Sequence, residues 1–81
     1  MDKLSPFSSQ AKAITKGAIY EHYKKKQYTI LSVARHSETL EEQVVYQALY
    51  GDNDVWVRPL NMFLENIVID GETKPRFTRV G

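Results

Sequence analysis

The hydrophobic and polar positions of this chain follow period two over much of its length, the repeat of strands whose successive side chains point to opposite faces. Over residues 17–24, Ala18, Tyr20 and His22 alternate with Ile19, Glu21 and Tyr23. Lys24-Lys25-Lys26-Gln27 is a polar connection suited to a hairpin, without the Asn-Gly pair of the tightest turns. Residues 28–35 resume the alternation, with Thr29, Leu31 and Val33 on one face and Tyr28, Ile30 and Ser32 on the other. A third strand is predicted over 44–50 and ends at Gly51-Asp52-Asn53-Asp54, the strongest turn signal in the chain. A short fourth strand follows at 55–58. A fifth lies at 67–70, closed by Asp70-Gly71-Glu72, and Pro75-Arg76-Phe77 adds a short edge piece.

Two places break this rhythm. Thr39-x-x-Glu42 has the spacing of a helix capping box, but strand signals resume at Val44, so an ordered acidic loop over 37–42 is preferred. Pro59 suits the first position of a helix, and residues 59–64 read as one helical or 3₁₀ turn before the last strand. The fold expected is mostly β: a small five-stranded SH3-like barrel carrying that one turn. An open antiparallel sheet covered by a helix is the alternative. Residues 1–16, polar and only weakly helical, are read as an N-terminal extension, and 17–80 as a single compact β domain.

Composition narrows the setting. Eighty-one residues make one domain, near the size at which a single core just suffices. The chain has no cysteine, so neither disulfides nor thiolate metal sites contribute, and its nine aromatic residues supply the large buried areas instead. A homodimer would also help so small a core, so monomer and homodimer both stay open. No apolar run approaches the roughly 20 residues that span a bilayer, and the N-terminus lacks the apolar stretch of a secretory signal. A cytoplasmic location is the expectation. The net charge of +1 conceals an asymmetry: residues 1–26 carry +4, 27–72 carry −6 and 73–81 carry +3. Solvated basic ends around an acidic middle explain this more simply than one basic nucleic-acid-binding face.

At Tyr20-x-His22-Tyr23-Lys24, Val33-Ala-Arg-His-Ser-Glu38, Val45-Tyr46, Leu49-Tyr50-Gly51, Trp56-Val-Arg-Pro59, Met62-Phe63-x-Glu65 and Pro75-Arg-Phe77, the chain resembles a widespread family of small bacterial domains of unknown function. The resemblance covers roughly residues 17–80. It departs at Lys24-Lys25-Lys26, where the family has a lysine-glycine tight turn, so that hairpin is expected to be looser. It implies a compact, mostly-β, stand-alone domain, and no activity, ligand or catalytic residue.

Candidate chemistry concentrates between Arg35 and Glu65. Arg35, His36, Ser37 and Glu38 offer an arginine fork suited to carboxylate or phosphate beside a histidine that can serve as donor or acceptor. Internal pairing of Arg35 with Glu38, Glu41 or Glu65 is the structural alternative. Trp56 and Arg58 share a strand face, where they either flank a flat ligand such as a nucleobase or form a core tryptophan and a turn-fixing arginine. Tyr46 and Tyr50 share a face with Val44 and Ala48, as a stacking surface or as packing with wet hydroxyls. His22, His36, Glu38 and Glu65 lack the local spacing of a metal site. Ser37 adjoins His36 on an extended chain and so points away from it, which excludes a nucleophile–base pair. The reading favoured is a non-enzymatic recognition module that uses no cofactor. Its ligand is anionic or aromatic, a nucleotide or single-stranded nucleic acid foremost, held by Arg35, His36, Glu38, Tyr46, Tyr50, Trp56, Arg58 and Glu65. A peptide or protein-interaction module and a small acid–base enzyme using His36 with Glu38 or Glu65 are the alternatives.

Overall fold

The computed structural model describes residues 6–81; the first part of the expected N-terminal extension lies outside them. In chain order the elements are α1 (Ser9–Lys12), β1 (Ile19–His22), β2 (Gln27–Arg35), β3 (Glu42–Ala48), β4 (Val55–Pro59), α2 (Leu60–Phe63), β5 (Asn66–Ile69), β6 (Glu72–Pro75) and β7 (Phe77–Arg79). Five strands form one antiparallel sheet in the order β4-β3-β2-β1-β7, and β5 and β6 form a separate hairpin. The chain is mostly β, but the strands do not close into the expected SH3-like barrel. The stretch that would bridge the sheet's two edges, β4 and β7, is turned back on itself by Asp70 and Gly71, both at positive φ (52° and 79°). That is the signature of a type I′ turn, whose twist locks β5 onto β6. The sheet is open, as in the alternative reading, but the helical element is a four-residue turn and the separate β5–β6 hairpin belongs to neither expectation. The single turn at 60–63 falls where Pro59 predicts it, and residues 37–41 form a turn rather than a capped helix.

One local feature corrects the predicted faces. β2 pairs with β3 through Ile30↔Tyr46 and then Ser32↔Val45, leaving Leu31 as an extra residue in a β-bulge. The bulge resets the alternation, so Tyr28 and Ile30 share the inner face with Val33 and Arg35, and Leu31 is left exposed. Simple period-two counting assigns Tyr28 and Ile30 to the face opposite Val33. The inner face is defined by β3, whose Val44, Tyr46 and Ala48 are buried.

The core is small and aromatic. Ile30, Val44, Tyr46, Leu60, Phe63 and Phe77 are buried together with Ala11 and Ala18. Phe63 and Phe77 stack at 4.3 Å with their planes 12° apart, and Tyr46 and Tyr20 pack on Phe63 at 5.5 and 5.2 Å. The turn of α2 thus serves to drive Phe63 onto the sheet. Part of the predicted extension joins this core: Ala11 is buried, and Phe7 and Ile14 pack against it. Ser8 caps α1, its hydroxyl accepting from the Ala11 amide at 3.1 Å. No helix among the described residues is long and apolar enough to cross a membrane.

Candidate functional site

The inner face of the sheet carries an aromatic surface because cross-strand partners share a face. Tyr20 lies opposite Tyr28, His22 opposite Phe77, and Trp56 and Arg58 of β4 opposite Tyr46 and Val44. Where Phe63 packs on Phe77 and Tyr46 this face is closed; at the β4 edge it is open. Tyr46 is buried while Trp56, its neighbour across β3–β4, is 50% exposed. Tyr28 packs edge-on to both Tyr46 and Tyr50, and its hydroxyl lies 2.6 Å from that of Tyr50. Lys26 Nζ sits 4.5 Å above the Tyr50 ring centroid, a cation–π contact that places a positive charge at this rim. Burial, then the Tyr50 hydrogen bond, pushes the Tyr28 phenol well above its ordinary range. Burial also raises that of Tyr46, opposed by the charge of Arg58 and a hydrogen bond from it.

A charged cluster stands beside the aromatic surface. Glu65 Oε1 accepts from Arg76 Nε at 3.0 Å, lies 2.9 Å from Arg76 Nη2 and 3.6 Å from Arg58 Nη2. Arg76 is delivered there by the backbone, its amide donating to the Glu65 carbonyl at 3.1 Å. Two guanidiniums therefore share one carboxylate and retain a net positive charge. Arg58 Nε is buried with no hydrogen-bond partner among the described residues. The pKa of His22 is lowered by partial burial and then by Arg76, Lys24 and Arg58. Its Nδ1 accepts from the Lys24 amide at 3.2 Å, which leaves the proton on Nε2.

The other predicted residues lie at the β2–β3 corner. Arg35, opposite Glu42 in the ladder, places its guanidinium 4.3 Å from the Phe7 ring centroid. Glu42 in turn accepts from the Ser8 amide and the Ser8 hydroxyl, both at 2.7 Å, which with Arg35 nearby lowers its pKa. His36 Nδ1 accepts from the Glu38 and Thr39 amides at 3.1 and 3.3 Å, and its carbonyl accepts from the Leu40 amide at 2.8 Å. It builds the turn. Among the described residues His36 and Glu65 make no hydrogen bond or ion pair with each other. Nor does any group of three His, Asp or Glu side chains form a metal-binding cluster there.

The fold thus brings Trp56, Arg58, Tyr46 and Tyr50 to one face with Glu65 beside them, and leaves Arg35, His36 and Glu38 at the corner. Sequence reasoning missed Arg76 and Lys26, and weighed His22 only as a metal ligand. Arg76 reaches Glu65 only because the Asp70-Gly71 hairpin folds back the residues between them, and the turn signal at that pair was the one available pointer. A groove of about 450 Å³ runs between α1 and α2, lined by Ser8, Glu42, Leu60 and Leu64 among others. A second, of about 320 Å³, lies where His22, Tyr23 and Lys25 face Ile69 and Lys74 of the hairpin region.

Known proteins place this chain in a family. A solved structure from Bordetella bronchiseptica, of a protein belonging to DUF1653, superposes with a TM-score of 0.77 at 34% identity, over 88% of this chain and 92% of that one. No curated protein matches. The family model described as "Protein of unknown function (DUF1653)" matches residues 18–79, so the chain belongs to the DUF1653 family.

Proposed function

We propose that this domain is a non-enzymatic recognition module for a small anionic ligand with a flat aromatic group, a nucleotide or the exposed bases of a single-stranded nucleic acid. One observation carries the reading: Trp56 and Arg58 project from the same face of β4, the indole half exposed and the guanidinium only partly neutralised. Base stacking on an indole is sequence-tolerant and contributes roughly 1–3 kcal/mol per base. Arg58, backed by Arg76, supplies a fork for phosphate. Tyr50 and Lys26 extend the stacking surface and its positive rim. Glu65 orients both guanidiniums, and Tyr46 sets the position of Arg58 from beneath.

Trp56 is the only tryptophan, which makes the test direct. Titration with mononucleotides and short single-stranded DNA or RNA quenches its fluorescence, and the affinity falls steeply with salt because phosphate contacts release counterions. Arg58→Ala removes most of the affinity in a still-folded protein. Unquenched fluorescence at millimolar nucleotide, or an undiminished affinity in Arg58→Ala, refutes the reading.

A further inference from the structure

The geometry points to β4 as a self-docking edge: we infer that two copies of this chain pair antiparallel through Val55 and Val57, joining their sheets into one of ten strands. The inference stands on the backbone of β4 and needs no ligand. The Ala48 amide donates to the Asp54 carbonyl at 2.9 Å, which directs the polar backbone of Asp54, Trp56 and Arg58 towards β3. By alternation, the N–H and C=O groups of Val55 and Val57 point outward from the sheet. Pro59 is the next outward position and has no N–H.

Exposed edges are normally blunted by shortness, by charge or by proline. The opposite edge follows that rule: β7 is three residues long, carries Thr78 and Arg79 and follows closely on Pro75. β4 does not. Val55, Trp56 and Val57 are 54, 50 and 55% exposed in an unbroken apolar run. The two outward residues are both valines, without a charged side chain to repel an incoming strand.

The register identifies the occupant as a second copy. In an antiparallel pair centred on Trp56, Val55 of one chain and Val57 of the other exchange both of their N–H···O=C bonds, twice over by symmetry. The same register sets Asp54 opposite Arg58 of the second copy, an opposite-charge pair created by the two-fold axis. It also sets the two Trp56 residues side by side at a closely spaced position on the inner face. Centring on Val57 instead would place Val55 against Pro59 and forfeit donors, so one register is favoured.

Sedimentation equilibrium of the full chain from micromolar to millimolar concentration tests this. The mass is expected to rise from one chain to two. Val57→Pro removes an outward N–H and none of the bonds to β3, so the variant keeps its strand signature while self-association weakens by roughly tenfold or more. Val57→Lys, a charge on the same edge, does the same without a backbone constraint and stands in if the proline variant unfolds. A wild-type chain that stays single throughout the range, or folded edge variants that associate like wild type, overturns the proposal. Nucleotide titration of the monomeric Val57→Lys chain keeps the ligand reading separate, since that variant retains Trp56 and Arg58.

Discussion

The β2–β3 corner and the β4 end of the sheet carry the same residue types, an arginine, a carboxylate and an aromatic ring, and use them in different ways. At the corner the groups engage one another: Arg35 stacks on Phe7, Glu42 holds Ser8 through two bonds, and His36 accepts two turn amides. At β4 the indole is half exposed, one carboxylate serves two guanidiniums, and a buried donor of Arg58 lacks a partner among the described residues. The contrast sets the proposed recognition surface apart less by its residue types than by how much of their bonding capacity the fold leaves over.

The strongest way to break the comparison is to remove the floor beneath the aromatic face. Phe63→Ala deletes a ring that packs on Phe77, Tyr46 and Tyr20, and should cost about 3–5 kcal/mol, read as a lower midpoint in urea. An effect below about 1 kcal/mol would mean that this core is not the one stabilising the sheet. Glu65→Gln comes next. It leaves Arg58 and Arg76, with side chains 26 and 24% exposed, without a counter-charge, at a cost of about 1–2 kcal/mol. The same variant should bind anionic ligands more weakly, because the two guanidiniums are no longer held in place; equal or tighter binding would show that Glu65 acts as competitor more than as orienter.

Smaller effects belong to the corner. Arg35→Ala loses its stacking on Phe7, about 0.5–1 kcal/mol at a partly exposed site, and should leave the Trp56 nucleotide titration untouched. A large loss of affinity there would restore Arg35 to the binding surface. The last effect is pH-dependent. The Glu42 carboxylate is stabilised in the fold, first by the Ser8 amide and hydroxyl, so its folded pKa lies below the unfolded one. That contribution is complete above the unfolded pKa and disappears as pH falls through the lowered one. The protection of the Ser8 and Ala11 amides, taken relative to the exchange rate of an unstructured chain at the same pH, should therefore fall in acid, a change that Glu42→Gln abolishes.

The chain's local chemistry made much of the fold legible. The alternation around Tyr28 and Val44, the turn residues at 51–54 and the Pro59 signal are local, and each marks an element that forms, although β3 begins and ends two residues before the predicted 44–50. The β-bulge at Leu31 was not legible, because an inserted residue leaves no mark on composition and only the pairing with β3 reveals it. Barrel closure failed for a related reason: Asp70-Gly71 signals a turn but not which strand it pairs. The site was legible as far as one strand reaches, so Trp56 with Arg58 and Tyr46 with Tyr50 were found together. Arg76 was hidden because its link to Glu65 depends on how the β5–β6 hairpin docks, a tertiary event.

The most direct test of the account is a two-dimensional NMR titration of the labelled domain with mononucleotides. The account predicts that shifts cluster on Lys26, Tyr50, Trp56 and Arg58, with Glu65 and Arg76 following, while Arg35, His36 and Glu38 stay still. Shifts confined to the β2–β3 corner, or none at millimolar nucleotide, would contradict it.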